Sequence, residues 1–196
     1  MNQPAKAIRN PLRQRVAFAG AVLLAAFGSS AADAPPANVT VGGSTITATF
    51  KQEGVPVDTM FKQFSGRIVY DPKNVATASA SLEVLMASFD MGDDAYNAEV
   101  KKKQWFDSAN YPKATFRSTS VKASGPNRFD ATGALTLKGK VLTITVPVTV
   151  KTTPAGSAFD GNFSISRKAF GLGDPIWEDV LEDRVDIKFH LISTGR

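Results

Sequence analysis

Apolar and polar residues alternate with a period of two along most of this chain. The alternation is clearest in KVLTITVPVTVK (residues 140–151), where aliphatic side chains fall on one face and threonines occupy most of the other. Such a pattern is typical of half-buried β-strands. We predict eight strands, at residues 44–52, 60–71, 76–86, 113–123, 128–139, 140–151, 157–170 and 183–192.

The turns between these strands are short and rich in Gly, Pro and Asn, which favours antiparallel neighbours. The pattern therefore predicts an all-β fold, either a sandwich or an up-and-down barrel. Strands of about ten residues are long for a sandwich, and eight of them can close into a barrel with room for one small ligand. Closure would also protect the sheet edges of a chain that has no cysteine for disulfides, so we favour the barrel.

One segment, GDDAYNAEVKKKQWF (residues 92–106), is predicted to be a short capping helix. An aspartate at residue 93 or 94 would cap its N-terminus, and the lysines at residues 101–103 would suit the negative end of the helix dipole. We expect Trp105 and Phe106 to pack inward, as the hinge between this helix and the barrel wall. The lysines would stay in water, with their stems covering the apolar edge.

Several small residues fall on the inward face of the predicted strands, among them Ala78, Ala80, Ala131 and Gly133. Such positions either leave space inside the barrel or lie against a large side chain of a neighbouring strand. The sequence leaves both interpretations open. The choice between them decides whether the barrel is hollow or filled.

The first residues have the features of a secretory signal peptide. Four basic residues and no acid precede an apolar run at residues 16–28, which is too short to span a bilayer as a helix, and small residues follow it. We interpret residues 1–31 as a cleaved signal peptide, with cleavage after Ala31 or Ala32. Residues 32–38 would form a Pro-rich leader and residues 39–196 a single domain.

The full chain has a formal net charge of +5, but residues 32–196 carry a net charge of only +1. A domain without a strong positive field gives no support for a nucleic-acid partner. The absence of cysteine excludes thiol catalysis and cysteine-ligated metals.

Acid–base chemistry has few candidates in this sequence. The one histidine, His190, lies within a predicted strand on the face opposite its apolar neighbours, which favours an exposed polar position over a catalytic base. Acidic residues cluster at residues 90–94 and 178–183 without the spacing of a calcium loop, and helix capping and solvation explain them. We therefore expect no metal site and no enzyme.

Large aromatic residues are numerous in or beside the predicted strands. Each ring on its own would be ordinary core. Together with the scarcity of catalytic groups, the set predicts a hydrophobic cavity, because sites for apolar ligands are lined in this way with few polar groups.

Four stretches occur in order along the chain: FSGRIVYDP (residues 64–72), WFDSANYPKATFRS (105–118), GALTLKG (133–139) and ISRKAFGLG (165–173). Their combination resembles the YceI-like family of bacterial periplasmic polyisoprenoid-binding proteins. The resemblance covers essentially all of the chain that follows the signal peptide.

The resemblance implies a lipocalin-like eight-stranded antiparallel barrel that holds a long isoprenoid chain in its lumen. It implies a periplasmic carrier for a quinone or polyprenyl lipid, with this lipid as the ligand and no other cofactor. The candidate ligand-binding residues are Phe50, Phe61, Phe64, Leu82, Trp105, Phe106, Phe116, Leu135, Phe163, Ile165, Arg167, Phe170, Trp177 and Phe189.

The family pattern is altered after the first predicted strand. Gln52 stands near the place where many members carry His, and Met60 precedes Phe61 where Gly often stands. This indicates a different head-group preference. Further on, WEDVLEDRVDI (residues 177–187) resembles the ending of members associated with membrane di-haem cytochromes. It implies a transient contact with an inner-membrane cytochrome and leaves open whether the protein is a homodimer.

Two other functions compete with a carrier. One is an enzyme acting on a lipid-like substrate in the same cavity. There Arg167, in phase with the apolar face of its strand, would point inward and meet a phosphate or quinone oxygen. The alternative for Arg167 is an ion pair with Asp174, Glu178 or Asp179. The other function is a stress-related scaffold or partner-binding module, which a lumen filled by its own side chains would favour.

Overall fold

The computed structural model describes residues 37–194. The predicted signal peptide, its cleavage sites and most of the predicted leader lie outside the described residues. Ten β-strands pair into one sheet. The strands are β1 (Ala37–Gln52), β2 (Val55–Phe61), β3 (Phe64–Val69), β4 (Ser79–Leu85), β5 (Phe89–Asp90), β6 (Lys113–Gly125), β7 (Arg128–Leu137), β8 (Lys140–Thr153), β9 (Gly156–Ser166) and β10 (Leu181–Thr194).

The sheet closes on itself because β1 pairs with β10. Around the wall the order is β1, β3, β4, β6, β7, β8, β9 and β10, and the neighbouring pairs are antiparallel. Every strand of this wall is therefore paired on both sides, which leaves little exposed edge. The predicted eight-stranded antiparallel barrel is confirmed.

At two positions in the wall, two short strands follow one another along the barrel in place of one long strand. β3 and β2 occupy one position in succession, because β1 pairs with β3 near its start and with β2 near its end. β4 and β5 occupy the next position in the same way, because β4 pairs with β3 and β5 pairs with β2.

The predicted strand at residues 60–71 joined the last two residues of β2 to β3, which the structure separates. The earlier part of β2 was not predicted, because Gly54 and Pro56 interrupt the alternation. The two central residues of the turn between β1 and β2 both have positive φ, 50° at Glu53 and 79° at Gly54. A two-residue hairpin with a type I′ turn requires this.

β1 begins at Ala37, seven residues before the predicted start. The pattern is lost there because the strand contains an irregularity between Thr40 and Thr45, where Gly43 adopts a φ of 83°. The Ser44 hydroxyl accepts a hydrogen bond from the Ile192 amide at 2.8 Å. The irregularity shifts the alternation but keeps the strand attached to β10.

The predicted helix is much shorter in the structure, where α1 spans Asp94–Glu99. Its N-terminal cap is Asp93, whose carboxylate accepts hydrogen bonds from the amides of Ala95 at 2.8 Å and Tyr96 at 3.1 Å. The lysines at residues 101–103 lie beyond the last helical turn, so their predicted role at the helix dipole is wrong. The chain curls back instead, and the Phe106 amide donates to the Val100 carbonyl.

Aromatic rings from opposite walls meet near the end of the barrel where β1 begins. Tyr70, just after β3, stacks on Phe129 of β7 at 5.9 Å and meets Phe159 of β9 edge-on at 5.5 Å. These strands are not neighbours in the wall, so the contacts cross the lumen. Burial raises the pKa of the Tyr70 hydroxyl, and the Asp71 carboxylate raises it further.

The other end of the barrel carries α1, the turn after it, and a short 3₁₀ turn at Pro175–Trp177. We call this end the mouth. Among residues 37–194, no helix has the length and apolar character needed to cross a membrane.

Candidate functional site

A cavity of about 510 Å³ lies inside the barrel. Its wall consists of the inward-facing members of the alternating strands, such as Val185, Ile187, Phe189 and Leu191 of β10. The volume lies within the range of small-molecule binding sites. The predicted hydrophobic cavity is therefore present, and the lumen is not completely filled by side chains.

Charged groups are confined to one end of this cavity. Of the residues described, those with charged side chains that line it are Asp93, Glu99, Arg167 and Glu182. All four lie on α1, its cap or the ends of β9 and β10, and so belong to the mouth. An apolar lumen with charged residues only at its mouth suits a long apolar molecule with a polar end.

All but two of the candidate ligand-binding residues line this cavity. They come from strands on every side of the barrel and from the turns at the mouth. Those that line it are Phe50, Phe61, Leu82, Trp105, Phe106, Phe116, Leu135, Phe163, Ile165, Arg167, Trp177 and Phe189.

Phe64 and Phe170 do not line the cavity. Phe170 was placed in a strand, but β9 ends at Ser166 and the chain leaves the wall in a turn. Its side chain, only 1% exposed, packs with Met86 and Leu172 instead. Phe64, in β3, is likewise buried within the apolar core.

Sequence reasoning left many cavity residues out of the candidate set. Some share the period-two phase of a candidate on the same strand, as Val185 and Ile187 do with Phe189, and Val146 and Val148 lie on the alternating apolar face of β8, where no candidate was named. For these residues the pattern held the signal that could have found them. The others follow a strand end, belong to the unpredicted part of β2, or lie on or beside α1, and Val121 comes after the irregularity in β6 that shifts its phase relative to Phe116. The residues left out include Val57, Tyr70, Met91, Tyr96, Val100, Val121, Val146, Val148, Phe159, Leu172, Leu181, Val185, Ile187 and Leu191.

Some of the small inward residues leave space in the lumen, and one lies against a large side chain of a neighbouring strand; the sequence left both interpretations open. Ala78, Ala80 and Ala131 line the cavity and leave space. Gly133 lies against a large neighbour instead, because a Cβ built on it would be 2.7 Å from the ring of Phe116. The lumen is thus neither empty nor filled along its whole length.

Trp105 and Phe106 pack inward, as predicted, while the preceding lysines are exposed. Phe106 lies 5.2 Å from the ring of Phe89. The turn is held by the Gln104 carbonyl, which accepts hydrogen bonds from the Gly173 amide at 2.9 Å and from Lys138 Nζ at 3.1 Å. Burial lowers the pKa of the Lys138 ammonium, against the opposing effect of a nearby aspartate.

Arg167 is only 4% exposed and lies at the mouth. Its guanidinium donates to the carbonyls of Leu181 at 2.8 Å, Leu172 at 3.1 Å and Glu182 at 3.1 Å. Glu178 is an ion-pair partner at 3.5 Å. The ion pair with Glu178 is the structural alternative stated for Arg167. The carbonyl bonds, which were not predicted, join the turn at Leu172 to the start of β10.

Glu178 also pairs with Lys168. The hydrogen bond from Lys168 lowers the pKa of the Glu178 carboxyl, and Arg167 contributes in the same direction. Of the three carboxylates expected as partners of Arg167, this is the one that the structure brings to it.

Asp90 braces α1 against β2. Its carboxylate lies 2.5 Å from Lys62 Nζ and accepts hydrogen bonds from Asn97 Nδ2 at 2.8 Å and the Gly92 amide at 3.1 Å. The hydrogen bond from Lys62 does most to lower the pKa of Asp90, to about 2, and those from Asn97 and Gly92 add to it. This carboxylate explains part of the acidic cluster as a structural group.

His190 lies on the outer face of β10, away from the cavity. Its side chain is 39% exposed, and its Nδ1 is 2.6 Å from Asp160 Oδ1 on β9. Sequence alone could not supply this partner, because the two residues meet only through strand pairing. Within residues 37–194, no group of three or more His, Cys, Asp or Glu side chains is placed to hold a metal ion.

A model of the YceI-like domain family matches residues 38–192. The chain belongs to the YceI-like domain family. Protein YceI of Escherichia coli O6:H1 is 35% identical over 100 residues, and UPF0312 protein VPA0850 of Vibrio parahaemolyticus is 32% identical over 100 residues. These matches cover 51% of this chain, and the chain spans about half the length of these curated relatives, 50% and 51% respectively.

Solved structures of other proteins share this fold. BcnA of Burkholderia cenocepacia is 44% identical, with a TM-score of 0.77 over 80% of this chain and 99% of that one. A polyisoprenoid binding domain from Saccharophagus degradans, implicated in plant cell wall breakdown, is 19% identical, with a TM-score of 0.63 over 81% of this chain and 98% of that one. The second likeness shows the fold alone.

Proposed function

We propose that this protein binds an isoprenoid lipid of the quinone or polyprenyl type, with the apolar chain in the barrel lumen. The observation that carries the proposal is the cavity of about 510 Å³, whose charged lining residues are confined to the mouth. The Saccharophagus degradans domain with the same fold is described as polyisoprenoid binding. Removing each CH₂ of such a chain from water contributes about 0.8 kcal/mol.

The protein is further proposed to carry or sequester this lipid in the periplasm. The basic and apolar residues at the start of the chain support export. An isoprenoid chain is insoluble in water, so its movement between membranes requires a container that closes around the apolar part. The barrel lumen would supply that container.

The lipid is proposed to enter at the mouth, where three large apolar side chains are exposed. Val55 is 62% exposed, Tyr96 52% and Ile176 78%. We call these three residues the mouth rim. The amide of Glu53, beside Val55, donates to the Val180 carbonyl at 2.7 Å, which joins two of the three rim segments. A carrier needs such a surface to meet a membrane or a membrane protein, including the cytochrome implied by the resemblance.

Binding is favoured over catalysis by the positions of the two candidate chemical groups. The guanidinium of Arg167 is engaged by three carbonyls of the protein itself. His190 lies on the outer face of the barrel. Neither group is free inside the cavity to act on a substrate.

The first test is native mass spectrometry of the protein purified from the periplasm of its host, followed by organic extraction of any bound molecule. We expect a co-purifying isoprenoid, whose mass would identify its head group. A protein mass without ligand, together with no uptake of added isoprenoids, would contradict the proposal.

Two variants on one strand sharpen this test. Phe163→Asp should abolish uptake, because Phe163 lines the lumen and a carboxylate there would retain water. Asn162→Asp is the matched control, since Asn162 is exposed on the outer face of the same strand. Equal uptake by both folded variants would show that the lipid does not occupy this part of the lumen.

A further inference from the structure

Three glycines occupy inward-facing positions in the barrel wall. Gly66 lies in β3, Gly133 in β7 and Gly161 in β9, each at a position with at least one period-two neighbour that lines the lumen. We call them the bore glycines. Glycine in the interior of a strand weakens it and often marks a close approach by another group.

The close approach at Gly161 is made by a phenylalanine of the adjacent strand. A Cβ built on Gly161 would be 2.4 Å from Cζ and 2.9 Å from Cε1 of Phe189, and 2.8 Å from the Pro147 carbonyl oxygen. The two Phe189 atoms are at the far end of the ring, and Phe189 is the residue that pairs with Gly161 across β9 and β10. The ring therefore leans along the wall and covers the glycine, and does not point at the barrel axis.

The same arrangement occurs at the other two bore glycines. A Cβ on Gly133 would be 2.7 Å from both Cε2 and Cζ of Phe116 and 2.4 Å from the Arg117 carbonyl oxygen, and a Cβ on Gly66 would be 2.3 Å from Cδ2 of Leu82. Phe116, Leu82 and Phe189 all line the cavity. Three large side chains thus lie flat against the wall because the residue beneath each of them has no side chain.

Backbone conformation does not explain these glycines. None of the three is among the glycines with positive φ in the described residues, so any L-residue could adopt their backbone angles. What excludes a larger residue is the side chain packed over each glycine, together with a backbone carbonyl of the wall at Gly133 and Gly161. A displaced ring has one free direction, which is the lumen, since the wall is close-packed.

We propose that Gly66, Gly133 and Gly161 set the bore of the lumen and thereby determine which ligand chain it admits. This inference rests on the proposed lipid binding and adds the residues that keep the channel open. Substituting alanine would push Phe116, Phe189 or Leu82 into the channel. Overpacked side chains of this kind compete with the ligand for the same volume.

The test compares uptake of geranylgeraniol, measured by native mass spectrometry, between the wild type and single alanine variants. Gly161→Ala should weaken affinity about tenfold or more. Gly42→Ala is the matched control, because a Cβ on Gly42 meets no atom within 4 Å, and its affinity should be unchanged. In the double variant Gly161→Ala/Phe189→Leu, the end of the ring is removed and affinity should return.

Unchanged affinity in folded Gly161→Ala, or no recovery in the folded double variant, would overturn the inference. If Gly161→Ala does not fold, Gly66→Ala takes its place. There the nearest backbone atom is 3.0 Å away and the closest contact is the flexible end of Leu82.

A wild type that takes up no isoprenoid would instead refute the proposed function. A ligand-independent measurement keeps the two failures apart. Crystal structures of the wild type and Gly161→Ala should show the Phe189 ring turned toward the axis and a smaller lumen. An unmoved ring would overturn the bore assignment.

Discussion

Arg167 shows how a charged residue can lie beside an apolar cavity and still act as a structural group. Three protein carbonyls accept its hydrogen bonds, and the Cβ of any residue replacing Gly173 would be 2.4 Å from its Nη1. The phase of Arg167 in its strand predicted that it would point inward. The carbonyls it binds belong to the start of β10 and to the turn at Leu172, and a strand pattern does not predict which distant segments meet.

Replacing Arg167 should therefore affect stability first. Arg167→Ala leaves three carbonyls without their donor, and we expect a loss of roughly 2–4 kcal/mol in the free energy of unfolding, measured by urea denaturation. Arg184→Ala is the control, because its ion pair with Asp186 is exposed and should contribute less than about 1 kcal/mol. An Arg167→Ala protein of normal stability that has lost only its head-group preference would support the ligand-contact alternative.

At the scale of elements, regular alternation was the part of the fold that sequence could predict. It gave the inward faces of the strands correctly, as with Phe189 and Leu191. It failed where local geometry breaks the alternation: at Gly43 in β1, at the turn before β2, and after Ser166. It also overextended α1, because helix propensity gave no sign of the turn that brings the Phe106 amide to the Val100 carbonyl.

The brace that Asp90 forms for α1 should depend on pH. Its pKa is lowered to about 2 in the folded protein, below the value of about 3.9 for an unperturbed aspartate. As pH falls, the unfolded chain takes up the proton first. The stabilisation is therefore complete above about pH 4 and is lost as pH falls toward about 2.

This dependence can be measured by urea unfolding of the wild type and Asp90→Asn across that range. The difference in stability between them should be constant above about pH 4 and shrink toward about pH 2. A difference that stays constant down to about pH 2 would show that the carboxylate does not form the brace.

At the scale of the whole molecule, closure of the barrel was predictable but the openness of its lumen was not. Strand count and length favoured a barrel. Whether the inward residues leave space depends on how side chains of neighbouring strands lie, as Phe116 does over Gly133. That relation joins residues on different strands, and it becomes visible only once the register between β6 and β7 is known.

The whole-molecule view also separates holding a lipid from acquiring it. The lumen determines equilibrium affinity, whereas the mouth rim meets the donor surface. Ile176→Asp should therefore slow the extraction of geranylgeraniol from phosphatidylcholine vesicles, by about tenfold, because a charge replaces an apolar contact with the bilayer. The equilibrium affinity, measured without vesicles, should be unchanged, since Ile176 is not a lining residue.

Thr149→Asp is the control for this prediction, because Thr149 is exposed, does not line the cavity and pairs with Arg128 at the end of the barrel opposite the mouth. Its extraction rate should equal that of the wild type. Equal rates for Ile176→Asp and Thr149→Asp would show that the lipid reaches the lumen by another route. A weaker equilibrium affinity in Ile176→Asp would mean that the rim holds the ligand as well as admitting it. The two measurements together therefore assign the rim to transfer, to binding, or to neither.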